Sequence, residues 1–118
     1  MGMLIDGKWD SDAKGTTASD GSFVRPESPY RHFITSPKTG RYPAEKNRYN
    51  LIVSFSCPWA HRSLIYRSIL NLEDCIDVSV VNPISYPNGW TFESSNDVVN
   101  NTGLELRYLR DLYLSIDE

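Results

Sequence analysis

The sequence predicts an α/β fold whose regular part is a parallel β–α–β unit followed by one more helix. Two short, β-branched apolar runs at residues 49–55 and 75–81 have the composition of buried strands. A segment with apolar residues at helical spacing separates them. The connections between the strands and this segment are short, which indicates a β–α–β unit with parallel strands. Its crossover is expected to be right-handed.

Residues 1–48 are predicted to form an irregular N-terminal extension. Gly, Ser, Thr, Asp and Pro are dense in it, and its aromatic residues follow no sustained period: Trp9, Phe23, Tyr30, Phe33 and Tyr42. Structureless segments of this length are uncommon inside a compact domain. Because the segment carries these aromatic residues, we expect it to pack over a larger body.

The first predicted strand, residues 49–55, leads directly into the first helix. Proline is well tolerated at the first helical position, so Pro58 is predicted there and Cys57 as the N-cap. The helix is expected to run from Trp59 to about Leu72. Its apolar side chains fall on one side: Leu64, Ile65, Ile69 and Leu72.

After the second strand, residues 83–99 are predicted to form a long loop. The run Thr-Gly-Leu-Glu at 102–105 has the form of a capping box, and apolar residues at helical spacing follow it up to Ile116. This predicts a second helix that begins near Gly103. Two parallel strands alone leave both sheet edges bare, so we expect the 118 residues to be part of a larger fold.

Composition excludes several classes of function. The formal net charge of -3 gives no electrostatic reason to expect nucleic acid or an anionic membrane as partner. No apolar run is long enough to span a bilayer, and the first residues lack the features of a signal peptide, so we expect a cytoplasmic protein. Two Cys and two His without ligand-like spacing predict no metal site.

Cys57 is the residue whose position predicts chemistry. A helix N-terminus carries partial positive charge and free N–H groups, which favour the nucleophilic thiolate over the thiol. His61 and Arg62 lie in the first turns and are candidates to add to this effect. Ala60 occupies the third position after Cys57, so the site lacks a second thiol there and needs an external one, usually glutathione.

The competing interpretation is that Cys57 is an inert buried cysteine, since free Cys is among the most buried residue types. Cys75 opens a predicted strand with no helix N-terminus near it in sequence, and we expect it to be structural.

The run Ser-Cys-Pro-Trp-Ala-His-Arg at residues 56–62 closely resembles the Cys-Pro-Trp-Ala-His-Arg active-site motif of the glutathionyl-hydroquinone reductases, also called Xi-class glutathione transferases. Further stretches are similar to this family: residues 4–9, 23–25, 30–31, 44–49, 78–83 and 88–92.

The resemblance implies an incomplete thioredoxin-like glutathione transferase domain at 49–118, preceded by the irregular extension at 1–48, with further strands and an all-helical domain lying outside the 118 residues. It implies that glutathione is the co-substrate and that glutathionyl-hydroquinones are reduced to hydroquinones. Cys57 would take the glutathionyl group as a mixed disulfide, and a second glutathione would release glutathione disulfide. It also makes a homodimer a candidate state of the full-length form.

The resemblance further implies that Trp90 packs on bound glutathione, although an aromatic residue that only covers its loop is the alternative. Two other functions stay open. The Cys-Pro-x-Ala pattern alone also admits an omega-like thioltransferase or dehydroascorbate reductase, although residues 59–62 and 88–90 favour the first family. A truncated, non-catalytic product that binds a partner or fails to fold is the third interpretation, because half of the family's fold lies outside these residues.

Overall fold

The computed structural model describes residues 2–13, 17–25, 27–36, 38–85, 87–93 and 96–116. Six elements follow one another along the chain: β1 Met3–Ile5, β2 Lys8–Asp10, β3 Tyr49–Val53, α1 Pro58–Ile69, β4 Ile76–Val80 and α2 Leu109–Ile116. They form two small sheets, an antiparallel pair of β1 with β2 and a parallel pair of β3 with β4.

The β–α–β unit lies where the sequence predicts it. Tyr49 lies opposite Ile76, and the parallel register continues to Val53 opposite Val80. The buried apolar core is small and lies at the carboxyl ends of these strands and in the segment that follows. It consists of Val53, Val80, Val81 and Phe92.

Helix α1 is three residues shorter than predicted, because the chain leaves helical geometry at Asn71. This residue has a φ of 53°, the left-handed conformation that commonly ends helices. Arg67 in the last turn donates hydrogen bonds to the carbonyls of Ile76 (2.8 Å) and Glu73 (3.0 Å), and so joins the helix end to the start of β4. The apolar side of α1 is only partly covered by the described residues, since Ile65 is 42% and Ile69 is 68% exposed.

The extension begins with a hairpin that the aromatic spacing does not predict. Strands β1 and β2 are joined by Asp6 and Gly7, both with positive φ (49° and 73°). Asp-Gly with two positive φ values is the favoured two-residue hairpin turn. The described residues from 11 to 48 form no further helix or strand and contribute only isolated bridges.

The predicted start of the second helix is wrong. Thr102 does not cap a helix: its hydroxyl donates to Asn100 Oδ1 (2.6 Å) and accepts from the Leu104 N–H (3.2 Å), which forms a loop turn. Helix α2 begins at Leu109 instead. The Asp111 carboxylate accepts the N–H of Tyr108 (3.1 Å), which supplies the acidic half of a capping box six residues after the predicted site.

The long segment between β4 and α2 packs along the edge of β4. Val80 and Val99 exchange two backbone hydrogen bonds (2.7 and 3.0 Å). The Asn82 N–H donates to the Thr91 carbonyl (2.8 Å), and the Phe92 N–H donates to the Arg107 carbonyl (2.8 Å). The described residues of this loop are therefore held by backbone pairing and form no helix or strand of their own. Among the described residues, no helix has the length and apolar character needed to cross a membrane.

Candidate active site

Cys57 lies at the junction of β3 and α1, as the sequence predicts. Its backbone is extended (φ -95°, ψ 113°), and Pro58 opens the helix after it. The Cys57 N–H donates to the Ser54 carbonyl (3.0 Å), while its own carbonyl accepts the N–H of His61 (3.1 Å). The thiol is free and half-buried, and it makes no capping hydrogen bond. The backbone at the helix N-terminus is thus fixed while the sulfur stays available.

Two serine hydroxyls support this junction. Ser54 and Ser56 lie 3.0 Å apart through their Oγ atoms, and Ser56 Oγ donates to the Pro83 carbonyl (2.7 Å). Ser54 itself is buried. These contacts join the turn before α1 to the segment after β4, so Cys57 is held from both strands of the parallel pair.

Trp59, which follows Cys57 closely in sequence, forms an exposed aromatic surface with two arginines. The ring is 58% exposed, and the guanidinium carbons of Arg62 and Arg25 lie 4.8 and 5.1 Å from its centroid. Arg62 is therefore engaged with an aromatic face, whereas the exposed His61 side chain makes no hydrogen bond with the described residues.

Trp90 lies in the segment between β4 and α2. It is half-buried and lines a cleft of about 430 Å³ together with Trp9, Tyr30, Arg110 and Tyr113. Cys57 does not line this cleft. The described residues therefore place Trp90 beside the N-terminal extension and α2, and its predicted contact with glutathione stays a prediction.

The Trp9 side chain is the part of this region that sequence reasoning missed. Its Nε1–H donates to the Pro87 carbonyl (2.9 Å), and the Arg110 guanidinium lies 5.1 Å from its ring centroid. A Cβ on Gly89 would lie 2.7 Å from Trp9 Cη2. The only signal in the sequence is the resemblance of residues 4–9 to the family, which names the tryptophan but not its contacts.

Two arginines in surface ion pairs have raised pKa values. The hydrogen bond from Arg107 to the Glu93 carboxylate (2.6 Å) raises the pKa of Arg107, and Glu45 likewise raises the pKa of Arg48. Both pairs lie on the surface, where such pairs contribute little to stability. Within the part of the chain that the structure describes, no three His, Cys, Asp or Glu side chains gather as a metal site would require.

The chain resembles known glutathione-dependent proteins over nearly all of its length. It is 44% identical over 124 residues to the glutathionyl-hydroquinone reductase YqjG of Escherichia coli, covering 99% of this chain and 38% of that protein. It is 44% identical over 101 residues to the glutathione S-transferase omega-like 2 of Schizosaccharomyces pombe, covering 86% of this chain and 32% of that protein. No family model matches the chain.

Solved structures show the same relationship. The Xi-class glutathione transferase of Natrialba magadii superposes with a TM-score of 0.83 at 41% identity, covering 98% of this chain and 36% of that one. The glutathione-bound structure of the E. coli protein gives 0.68 at 44% identity over 75% of this chain and 31% of its own. The predicted α/β fold of a glutathione transferase domain is confirmed. The chain spans about a third of the length of these relatives, and over that part it is similar to the glutathionyl-hydroquinone reductases, the Xi-class glutathione transferases.

Proposed function

We propose that this protein reduces glutathionyl-hydroquinones to hydroquinones with glutathione as co-substrate, and that Cys57 is the nucleophile. The observation that supports the role of Cys57 most directly is its geometry, an extended N-cap residue whose thiol has no capping partner. The N-terminus of α1 supplies partial positive charge and unpaired N–H groups next to this thiol. Both stabilise the thiolate, which is the reactive form.

The proposed reaction has two exchange steps. The Cys57 thiolate attacks the sulfur of the glutathionyl group, so an S–S bond forms and the bond between that sulfur and the ring carbon breaks. The carbon keeps the electron pair and takes up a proton, which reduces the ring while the two sulfurs are oxidised. A glutathione thiolate then attacks the mixed disulfide, forms glutathione disulfide and releases the Cys57 thiolate.

The use of an external thiol follows from the residues around Cys57. Ala60 occupies the position where a Cys-x-x-Cys site has its resolving thiol. Cys75 lies just before β4, where its backbone N–H donates to the Leu72 carbonyl (2.9 Å) and its carbonyl accepts from Asn47 (2.8 Å). These contacts hold its backbone at the end of the unit opposite to Cys57. Glutathione therefore supplies the second thiol.

Trp90 is proposed to pack on bound glutathione. Its carbonyl accepts the N–H of Leu109 (2.9 Å), and the following Thr91 is buried, so the backbone that carries the indole is well held. A half-buried indole that lines a cleft offers a rigid apolar surface at low entropic cost. The E. coli relative was solved with glutathione bound, which supports glutathione as the ligand class. The cytoplasmic location and the homodimeric state of the present protein stay predictions.

The test uses the complete gene product with a glutathionyl-hydroquinone and glutathione. Cys57→Ser should reduce hydroquinone release to the uncatalysed rate, while the matched variant Cys75→Ser should retain activity. Trp90→Ala should raise the KM for glutathione. Turnover retained by Cys57→Ser would refute the assigned nucleophile.

An omega-like thioltransferase or dehydroascorbate reductase is the second candidate. The S. pombe relative, named omega-like and equally identical over its aligned region, is the observation that favours it. Both candidates use Cys57 in the same way, so the substrate separates them. We expect a higher kcat/KM with glutathionyl-hydroquinone than with dehydroascorbate, and the reverse order would favour the second candidate. A folded gene product inert toward both would favour a non-catalytic role.

A further inference from the structure

We propose that Trp9 in the N-terminal hairpin is a positioning residue that fixes the loop carrying Trp90 and thereby sets the affinity for glutathione. This inference rests on the proposed function, in which Trp90 packs on glutathione. It gives the hairpin a role in the site, although the hairpin lies far from the loop in sequence.

Trp9 contacts the three residues immediately before Trp90, directly or through one neighbour. The Trp9 Nε1–H donates to the Pro87 carbonyl (2.9 Å). Arg110, whose guanidinium lies 5.1 Å from the Trp9 ring centroid, donates to Asn88 Oδ1 (3.3 Å). Gly89 packs against the ring itself. The loop before Trp90 is thus held in one place by a hydrogen bond, a charged neighbour and a close packing contact.

The packing of Gly89 on Trp9 requires glycine. Gly89 has a φ of 84°, and a Cβ there would lie 2.7 Å from Trp9 Cη2 and 3.1 Å from Cζ2. Real Cβ atoms do not approach another atom that closely, so either the loop or the indole would have to move. The absence of a side chain lets the backbone approach the ring closely.

The backbone on the other side of Trp90 is fixed independently of Trp9. The Trp90 carbonyl accepts from Leu109, and Thr91 Oγ1 donates to the Arg107 carbonyl (2.8 Å). Trp90 is therefore held by the start of α2 on one side and by Trp9 on the other. Loss of the Trp9 contacts releases one side only, which shifts the indole without unfolding the segment.

This arrangement predicts an effect on binding rather than on chemistry. The junction at Cys57 is held by hydrogen bonds of Ser54 and Ser56, in which Trp9 takes no part. If the Trp90 indole is no longer held in place, glutathione should bind more weakly, while the reactivity of Cys57 is retained. Trp9 and Trp90 also line the same cleft.

The test variant is Trp9→Phe in the complete gene product, which keeps an aromatic ring and removes the N–H donor. We expect the KM for glutathione and its Kd by calorimetry to rise about fivefold, the equivalent of one neutral hydrogen bond. The kcat and the rate of Cys57 alkylation should stay within about twofold. Phe33→Leu, at an 81% exposed aromatic position of the same extension, is the matched control and should change neither constant.

A second variant keeps the test decisive if Trp9→Phe repacks. Gly89→Ala should raise the Kd more than Trp9→Phe does, because its Cβ meets the indole. A phenyl ring lacks the atoms Cη2 and Cζ2, so Gly89→Ala should cost less when Trp9 is already Phe. This non-additivity is expected of residues in contact. Unchanged Kd in the folded Trp9→Phe variant, or strictly additive effects, would overturn the positioning role.

The outcomes also separate this inference from the proposed reaction. If Cys57→Ser retains turnover and Trp9→Phe has a raised Kd for glutathione, Cys57 is not the nucleophile, while the positioning role of Trp9 is supported. An inactive Cys57→Ser with an unchanged Kd in Trp9→Phe would do the opposite. A wild-type protein that binds no glutathione would overturn both.

Discussion

Replacement of Thr91 by Val tests how the segment around Trp90 is held. Thr91 is 1% exposed, and its hydroxyl donates to the Arg107 carbonyl (2.8 Å) and accepts the N–H of Glu93 (2.9 Å). Valine has nearly the same shape, so the substitution removes both hydrogen bonds without a cavity. A net contribution of about 1 kcal/mol for each bond predicts a loss of about 2 kcal/mol in the free energy of unfolding.

A larger loss is not expected, because both former partners have alternatives. The Arg107 carbonyl keeps the N–H of Phe92 (2.8 Å), and Glu93 is exposed to water. The measurement is urea unfolding of the complete gene product, followed by circular dichroism. Thr35→Val, at an exposed threonine, is the control and should stay within about 0.5 kcal/mol of wild type. A loss below about 0.5 kcal/mol for Thr91→Val would refute the claim that this hydroxyl holds the segment.

Three further predictions concern other parts of the fold. Asn71→Ala should destabilise α1 by about 1 kcal/mol because of its left-handed φ, whereas Asn71→Gly should not; unfolding of the pair decides this. Gly2→Ala places a Cβ against the Trp9 ring and 2.8 Å from the Asp10 carbonyl. The fluorescence of Trp9 should therefore shift to the red, and an unchanged spectrum would contradict this packing. The Ser22 hydroxyl and then its N–H donate to the Asp20 carboxylate and lower its pKa. The turn at Asp20 is therefore stabilised above about pH 4 and loses that stability as the pH falls through the lowered pKa. NMR titration should find a lower pKa for Asp20 in the wild type than in Ser22→Ala.

The part of the fold that the sequence predicts is the part whose signals are local. Strand β3 and helix α1 follow from a short apolar run and from Pro58, and the structure places both where these signals lie. The N-cap position of Cys57 follows from the same proline. Helix α1 was predicted too long because its apolar spacing continues to Leu72, while the left-handed Asn71 ends it first.

The parts that were not predicted depend on weak or distant signals. Strands of three residues are too short to show alternation, so only Asp6-Gly7 marks the hairpin. Thr102 fits the capping-box pattern, yet its hydroxyl bonds within a loop, because the Arg107 backbone is already paired with Thr91 and Phe92. Tertiary pairing overrides the local pattern here.

The contact of Trp9 with Pro87 joins positions 78 residues apart. No local pattern carries such information, because neither the spacing of apolar residues nor turn chemistry links the two segments. The sequence therefore identifies both tryptophans separately, and only the fold shows that they line one cleft. The position of Cys57, in contrast, needs only local signals.

The central claim is that the Cys57 sulfur receives the glutathionyl group. The most direct measurement mixes the complete gene product with one equivalent of glutathionyl-hydroquinone, without free glutathione, and locates the adduct by peptide mass spectrometry while released hydroquinone is quantified. The account predicts one glutathione on Cys57 for each hydroquinone released. Hydroquinone released with no adduct, or with the adduct on Cys75, would contradict it.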